Sequence, residues 1–181
     1  LYVTANGRAL YVPGGVRVEN GVTVLPLFVL ANAAGAELTW DGENAAARLK
    51  LDGAVPPQAD YDRTDLYWLS RVISAESRGE LLGQIAVGNV VLNRVASGQF
   101  PDTVKEVVFD RKYGVQFEPV SNGTIYDRPT DSAMLAAKLC LEGAAPVGDS
   151  LYFYAPALSA GTWISTSRAY YGTIGCHKFY E

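Results

Sequence analysis

Hydrophobic and polar positions follow different periods in the two parts of the chain. In the first 53 residues, short β-favouring runs are separated by Asn-Gly or Asp-Gly at 6–7, 20–21 and 41–42. These dipeptides tolerate the positive φ angles of two-residue hairpin turns. Strands are therefore predicted near 2–5, 8–12, 22–25, 36–40 and 45–51. One segment among them starts with Pro26 and ends with Gly35. Pro is frequent at the start of helices and Gly just after their end, so this segment is predicted to be a short helix.

Beyond residue 63 the apolar positions follow the 3.6-residue period of α-helices. Helices are predicted from Thr64 or Asp65 to about Arg78, over 80–97, after Pro101-Asp102 and after Thr130. The helix over 80–97 is apolar nearly all round, as expected in the middle of a domain, although its β-branched residues leave a partial strand open. Aromatic, strand-like runs follow at 150–156 and 162–180. The segment 54–63 lacks periodicity and is predicted to link domains at 1–53 and 64–181.

Composition narrows the class of protein. The 181 residues are 49% hydrophobic and 19% charged, as in an ordinary globular protein, and the net charge is −4. The 15 basic residues are scattered, which argues against a nucleic-acid partner. There is no run of about 18 apolar residues, so no membrane span is predicted. Cys140 falls in a predicted buried helix, so buried free thiols are favoured over a disulfide with Cys176.

An acidic residue occupies one end of the apolar stripe on the first predicted helix. The stripe takes positions i, i+3, i+4 and i+7, which are Leu69, Val72, Ile73 and Glu76. Burial of a carboxyl group disfavours its charged form and raises its pKa. A carboxylic acid that stays neutral near about pH 6–7 suits proton donation to a glycosidic oxygen. Periodicity alone leaves a second interpretation open, in which Glu76 forms a surface ion pair with Arg71, Arg78 or Arg94.

Other catalytic classes lack the residues they need. A zinc enzyme requires several His, Cys or acidic ligands, whereas the chain has one His and no H-x-x-x-H motif. A Cys–His pair is disfavoured, because Cys140 lies late in its helix and Cys176 directly precedes His177. G-x-S-x-G, a P-loop and a dinucleotide fingerprint are absent. The remaining class is acid catalysis by a carboxyl group in a site lined by aromatic residues, and it requires no metal and no cofactor.

Five blocks in the second part carry a resemblance to a known family. They are RVISAESRGELLGQIAVGNVVLNRV, FPDTVKEVVF, QFEPV, SLYFYAP and GTIGCHKFY. In order and spacing they resemble the catalytic domain of spore cortex-lytic enzymes and related bacterial cell wall hydrolases. The resemblance implies a lysozyme-like, helix-rich α+β domain that cleaves peptidoglycan glycan strands with Glu76 as catalytic acid/base. One acid is sufficient in a lytic transglycosylase, because the C6 hydroxyl of the substrate's own muramic acid is the nucleophile.

Six further residues are predicted to bind the substrate. They are Glu80, Gln116, Phe117, Tyr154, Trp163 and His177. Gln116 and Phe117 match the family's Gln-Phe motif, while a role at the start of the next helix is an equal alternative for Glu80. Tyr154 and Trp163 offer an apolar ring face and a polar edge to sugars, with core packing as the equal alternative. His177 matches the family's G-x-H-x-F ending, where a hydrogen-bonded structural role is favoured over proton transfer.

The first part of the chain has a resemblance of its own. The blocks NGRALYV and NGVTVLPLFVLANAAGAELTWDGENAAARLKL resemble the small β-rich domain named after the N-terminus of copper amine oxidases. Copper itself is not expected, because this segment has no His. Wall association or spacing is the predicted role, and a purely structural appendage is the alternative.

The combined prediction is a secreted or wall-located monomer of two domains that acts on peptidoglycan. It cleaves the β-1,4 bond between N-acetylmuramic acid and N-acetylglucosamine by lytic transglycosylation. One alternative is a hydrolytic muramidase with a second acid, for which Glu80, Glu118 and Asp127 are candidates. Another is a non-catalytic peptidoglycan-binding protein. The β-rich first domain, in place of the helical peptidoglycan-binding module that spore cortex enzymes often carry, weakens any assignment to the spore cortex, so ordinary vegetative wall is an equal alternative. Glu118 stands where the family often has Ser, and it either acts in the cleft or faces solvent.

Overall fold

The computed structural model describes residues 1–112 and 114–181, and the chain divides into two units at residues 1–60 and 61–181. The dividing point lies within the segment 54–63. No helix among the described residues is both long enough and apolar enough to cross a membrane.

Residues 1–60 form three antiparallel hairpins and one helix. The strands are β1 (Tyr2–Ala5), β2 (Arg8–Tyr11), β3 (Arg17–Glu19), β4 (Val22–Val24), β5 (Glu37–Asp41) and β6 (Ala46–Lys50), and the helix is α1 (Leu27–Ala34). Asn6-Gly7 and Asn20-Gly21 connect the first two hairpins with φ angles between 51° and 79°, as their turn chemistry predicts. Leu10, Val12 and Val29 form the small core of this unit.

Two features of this unit differ from the sequence prediction. β3 is an additional strand of three residues, which are all exposed, and its apolar-polar alternation is too short to predict a strand from the sequence. The Asp-Gly at 41–42 does not form a two-residue turn. Instead, the Asp41 carboxylate accepts hydrogen bonds from the backbone N and Nδ2 of Asn44 at 3.1 and 2.9 Å, and it pairs with Arg48 at 2.6 Å. These contacts stabilise a longer loop over 42–45.

Residues 61–181 are rich in helix, and their strands form one small sheet. The described elements are α2 (Arg63–Glu76), α3 (Leu81–Ala96), α4 (Val104–Phe109), α5 (Glu118–Asn122), a 3₁₀ turn (Thr124–Tyr126), α6 (Asp131–Leu141), β7 (Tyr152–Tyr154), α7 (Thr162–Ser167), β8 (Tyr170–Ile174) and β9 (His177–Tyr180). The sheet is antiparallel with strand order β7-β9-β8. The unit is therefore a mixed fold of helices and sheet, and α3 is helical throughout.

α2 begins and ends earlier than predicted. The carboxylate of Asp62 caps the helix by accepting hydrogen bonds from the backbone N–H groups of Thr64 and Asp65 at 2.8 and 2.9 Å, so neither of those residues is the cap. The helix ends at Glu76, because Ser77 has extended backbone angles (φ −135°, ψ 110°). Glu76 is thus the last residue of its helix and borders the turn that leads into α3.

α2, α3 and α6 pack against one another around a glycine. A Cβ atom at Gly88 of α3 would stand 2.7 Å from both Sγ of Cys140 and Cδ1 of Ile73, so the close approach of these helices requires glycine. Cys140 is a buried free thiol, as predicted, and its Sγ donates to the carbonyl of Ile85 at 3.3 Å. Cys176 is also free but is exposed, so the predicted burial of this second thiol is wrong.

The aromatic segment 162–180 is not a pair of strands throughout. Its first six residues form α7, in which the hydroxyl groups of Thr166 and Ser167 both donate to the carbonyl of Trp163. Such local bonds satisfy the hydroxyl groups within the helix itself, although they do not favour a helix over other local structure. The remaining residues form β8 and β9, and Phe179 of β9 joins a core cluster with Ala86 and Val90 of α3.

Candidate active site

Glu76 projects from the C-terminal end of α2 as a half-buried acid. The other members of its stripe, Leu69, Val72 and Ile73, are fully buried. Within the described part of the chain, the Glu76 carboxyl group forms neither a hydrogen bond nor a salt bridge. The alternative ion pair with Arg71, Arg78 or Arg94 is therefore wrong. Burial raises the pKa of Glu76 from its ordinary value of 4.5 to about 7.

Two charged residues act on Glu76 in opposite directions. After desolvation, which is the largest effect, repulsion from the Glu118 carboxylate raises the Glu76 pKa further. Attraction to the guanidinium of Arg94 lowers it. With a pKa of about 7, Glu76 is present in both protonation states near neutral pH. It is therefore suited both to donate and to accept a proton.

Arg94 of α3 is the buried cation of this site. It is only 5% exposed, and its Nε donates to the carbonyl of Leu151 at 2.8 Å. Its Cζ lies 4.7 Å from the ring centroid of Phe100 and 5.3 Å from that of Phe117. Its Nη1 is buried without a hydrogen-bond partner among the residues the structure describes. Burial lowers the pKa of Arg94 to about 10, so the side chain stays charged at neutral pH.

The sequence prediction considered Arg94 only as an ion-pair partner and so missed its place beside the acid. A signal was available, because Arg94 is a charged residue near the end of a helix that is otherwise apolar nearly all round. A charge in such a helix is seldom buried without a structural or functional reason.

A half-buried aromatic ring adjoins Arg94, and an exposed ring lies next to it. Tyr152 of β7 lies within reach of the guanidinium, with Cζ of Arg94 at 5.7 Å from its ring centroid. The same ring meets Trp163 of α7 edge-on, with a centroid distance of 5.7 Å. Trp163 is 59% exposed, so core packing does not account for its position. Its ring is available to a sugar face.

Tyr154, the other predicted sugar-facing ring, is more strongly packed. It stacks on Tyr180 of β9 with a centroid distance of 5.9 Å. The loop before α7 passes directly over it, because a Cβ atom at Gly161 (φ 56°) would stand 2.4 Å from carbons of the ring. Packing therefore accounts for much of this side chain, and the half-exposed remainder is what a glycan could contact.

Phe117 and His177 lie in the interior rather than on the site's surface. They are 2% and 4% exposed, and both rings contact Phe153, with centroid distances of 6.4 and 5.3 Å. The predicted glycan contact is corrected for both residues, because neither has a surface that a sugar could reach. Burial also lowers the pKa of His177, which favours its neutral form in a structural role.

The remaining predicted residues are more exposed. Gln116 is half-buried, and its Nε2 donates to the carbonyl of Gly114 at 3.2 Å. Glu80 takes the N-cap position of α3 without a side-chain capping bond and is not among the charges that shift Glu76. Asp127 is exposed and lines a separate cavity. Of the three candidate second acids, Glu118 is thus the one that acts on Glu76.

Hydrogen bonds from the Gln84 side chain of α3 stabilise the turn after Glu76. The Gln84 Nε2 donates to the carbonyls of Ser77 and Gly79, both at 3.3 Å, and its Oε1 accepts from Ser132 Oγ at 2.6 Å. Gln84 is 3% exposed, so these bonds are shielded from water. Contacts from α3 and α6 therefore fix the end of α2 and, with it, the position of Glu76.

No cluster of three or more potential metal ligands occurs among the described residues.

Sequence comparison assigns this unit to a family. The model of the cell wall hydrolase family matches residues 79–180. The chain belongs to the cell wall hydrolase family. The matched region covers more than half of the chain and begins three residues after Glu76, so it includes Glu118, Arg94 and the aromatic residues of the site.

Individual cell wall hydrolases match about two thirds of the chain. A spore cortex-lytic enzyme from Bacillus cereus is 38% identical over 120 residues, which are 66% of this chain and 45% of that protein. The catalytic domain of SleB from Bacillus anthracis, a germination-specific lytic transglycosylase, has a TM-score of 0.61 and 36% identity over 69% of this chain and 100% of that domain. The SleB catalytic domain of B. cereus gives a TM-score of 0.60 and 36% identity over 67% and 93% of the two chains.

These comparisons confirm the predicted resemblance to the catalytic domain of cortex-lytic enzymes. The chain nevertheless spans less than half the length of the B. cereus enzyme that it matches. The resemblance of residues 1–53 to the copper amine oxidase module stays a prediction.

Proposed function

We propose that the chain cleaves the glycan strand of peptidoglycan, with Glu76 as the proton donor. The observation that carries the proposal is a half-buried acid with a pKa of about 7 and no hydrogen-bond partner in the described part of the protein. The similarity to lytic transglycosylase SleB supports a glycan substrate. A lysozyme-like arrangement, in which the acid ends a helix at the edge of a cleft, belongs to the same proposal.

The proposed reaction is lytic transglycosylation. Protonated Glu76 gives its proton to the oxygen that leaves with N-acetylglucosamine, and the bond from that oxygen to C1 of N-acetylmuramic acid breaks. The resulting Glu76 carboxylate takes the proton of the C6 hydroxyl while the C6 oxygen bonds to C1. The products are a 1,6-anhydro-muramic end and a new N-acetylglucosamine end, and Glu76 regains its proton.

Arg94 and the aromatic residues fit roles in this reaction. A buried guanidinium near Glu76 stabilises the carboxylate that forms when the acid has given up its proton. Because Arg94 forms no ion pair with Glu76, it does so without fixing the acid in its charged state. Trp163 supplies an exposed ring on which a sugar can lie.

A hydrolytic muramidase is the second candidate, and one observation favours it. Glu118 is a carboxylate close enough to Glu76 to raise its pKa. Inverting and retaining glycosidases both use such a pair of acids. In this alternative Glu118 activates a water molecule, or attacks C1 itself, in place of the C6 hydroxyl.

Mass spectrometry of the fragments released from purified peptidoglycan separates these candidates. The proposal expects 1,6-anhydro-muramic ends from the natural protein and from Glu118→Gln, and no release by Glu76→Gln. Reducing muramic ends, lost in Glu118→Gln, would establish the hydrolytic alternative instead. Binding to peptidoglycan with no release by any of the three proteins would mean a non-catalytic glycan-binding protein.

We further propose that the protein is secreted as a monomer and that residues 1–53 assist wall association. Trp40 supports this role, because it lies on β5 and is 70% exposed, as expected of a ring that contacts a glycan. Trp40→Ala in the full chain should reduce sedimentation with intact wall sacculi while leaving cleavage of short soluble glycans unchanged. Equal sedimentation of both proteins would favour a purely structural role for this part.

A further inference from the structure

A cavity with a volume of about 470 Å³ lies at the same end of α2 as Glu76. Arg71, Ser74 and Ala75 contribute to its lining from α2. Their spacing of i, i+3 and i+4 places them on one helix face, and Glu76 lies on the face of the buried stripe instead. The cavity is therefore distinct from the surroundings of the acid, although both adjoin the final turn of the same helix.

The lining of this cavity is strongly basic. Arg71, Arg78 and Arg128 line it, against a single acid, Asp127. None of the three arginines forms a salt bridge within the described part of the chain. Arg71 is held in place by the ring of Tyr67, whose centroid lies 3.6 Å from its Cζ, and its Nε is buried without a hydrogen-bond partner. The cavity thus presents three guanidinium groups, none of which forms a salt bridge with Asp127 or another described carboxylate.

The start of α6 also borders this cavity, although Asp131 in its first turn offsets part of the partial positive charge there. Thr130, the N-cap residue of α6, and Ser132 in its first turn both line the cavity. The N-terminal end of a helix carries a partial positive charge and favours anions. Arginine side chains bind carboxylates through paired, charge-assisted hydrogen bonds. An anionic group of about the size of a carboxylate therefore fits this cavity in charge and in hydrogen bonding.

The cavity is connected to Glu76 through buried hydrogen bonds. Ser132 donates to Gln84, and Gln84 in turn donates to the carbonyl of Ser77, the residue that follows Glu76. A ligand that contacts Ser132 or Arg78 thus contacts the supports of the turn that ends α2. Ser77, which directly follows Glu76, itself lines the cavity, so the acid and the cavity adjoin the same turn.

We propose that the cavity binds a carboxylate of the short peptide that N-acetylmuramic acid carries on its lactyl group. The inference rests on the proposed function, because it assumes that a muramic acid residue lies at Glu76. An extended peptide of four residues spans about 13–14 Å, at about 3.3–3.6 Å per residue. A helix with its side chains is about 10–12 Å across, so such a peptide can pass round the end of α2 into the cavity.

The test compares soluble glycan strands with and without their peptides, the latter prepared with an amidase. The variant is Arg78→Gln/Arg128→Gln, because both side chains are exposed and their loss leaves the core intact. Lys105→Gln on α4 is the matched control, since it removes an exposed positive charge away from both sites. The double variant should raise KM for peptide-bearing strands about five- to tenfold, as for the loss of a charge-assisted contact, with kcat unchanged. Its KM for peptide-free strands should equal that of the natural protein.

An equal change of KM on both substrates, or no change on either, would overturn the proposal. Loss confined to strands that still carry wall phosphodiester polymers would show that the cavity binds phosphate rather than peptide carboxylate. Failure of the natural protein to cleave any strand would refute the proposed function and not the cavity. In that event, NMR titration with a free tetrapeptide of L-Ala, D-Glu, L-Lys and D-Ala tests whether the cavity binds the peptide. Shifts of the Thr130 and Ser132 amides that vanish in the double variant support the cavity, and their absence refutes it.

Discussion

Replacement of Glu76 by Gln should stabilise the protein, and the gain should depend on pH. The folded protein raises the pKa of Glu76 from 4.5 to about 7 because burial disfavours the carboxylate. Gln has nearly the same shape as protonated Glu and carries no charge at any pH. The variant therefore removes the unfavourable burial of a charge without removing a hydrogen bond or ion pair, since Glu76 forms neither with any described residue.

The magnitude follows from the difference between the two pKa values. Between pH 4.5 and about 7 the folded state binds more protons than the unfolded state, so the free energy of unfolding falls as the pH rises. The favourable contribution of the protonated acid is complete below pH 4.5 and is lost as the pH passes through about 7. Each pKa unit corresponds to about 1.4 kcal/mol, so Glu76→Gln should gain about 3 kcal/mol at pH 8 and about zero at pH 4.

Urea denaturation at several pH values between about 4 and 8 measures this gain. A Trp40→Phe background confines the tryptophan fluorescence to Trp68 and Trp163, which both lie in residues 61–181. Glu80→Gln is the matched control, because Glu80 is exposed four residues further along the chain. An NMR titration of the Glu76 side-chain carbon gives the folded-state pKa directly.

Two results would refute the reasoning. A constant difference between Glu76→Gln and the natural protein at all pH values would mean that Glu76 titrates alike in both states. A loss of stability at pH 8 would mean that the carboxylate has a favourable partner in solution, such as Arg94.

Three further predictions concern the surroundings of the acid. Glu118→Gln removes a like charge and should lower the Glu76 pKa, so the alkaline decline of kcat/KM should move to lower pH. A loss of kcat/KM of about 100-fold or more at all pH values would instead make Glu118 a second catalytic acid. Gln84→Leu leaves two carbonyls and a hydroxyl group without their partner and should lower the free energy of unfolding by about 2–4 kcal/mol in urea titrations, a result that unchanged stability would contradict. Gly88→Ala should cost about 1–3 kcal/mol in the same assay, because its Cβ would meet Cys140, and a neutral effect would mean that the helices can separate.

Features with a local cause are the ones that the sequence predicts well. The Asn-Gly turns at 6–7 and 20–21 follow from the φ angles that these residues tolerate, and the structure has both hairpins. Thr130 caps α6 as predicted, because its side chain bonds the Ala133 N–H within the same turn. α7 is not predicted, since its six residues combine Trp, Ile and Thr, which favour strands, with Ser, and have too few turns to show a helical period.

The candidate site depends partly on contacts that no periodicity reveals. The apolar stripe indicates Glu76, but its lack of an ion pair follows from where Arg94 and Glu118 lie after folding. Likewise, Phe117 belongs to a sequence motif that predicts function, yet the residue packs against Phe153 in the core. A motif locates a site along the chain. Tertiary packing then decides whether the side chain of each motif residue faces the site or the core.

The arrangement of Glu76 and Arg94 runs against the stability of the fold. Direct pairing of a half-buried acid and a buried guanidinium would give each group a hydrogen-bond partner and offset part of the cost of burying the two charges. Two other contacts keep them apart: Nε of Arg94 donates to Leu151, and Gln84 fixes the turn that ends α2. Direct pairing would lower the pKa of Glu76 and remove its proton at neutral pH. The separation leaves Nη1 of Arg94 without a partner among the described residues. Under the proposed function it preserves the proton donor and leaves this guanidinium nitrogen open to an incoming glycan.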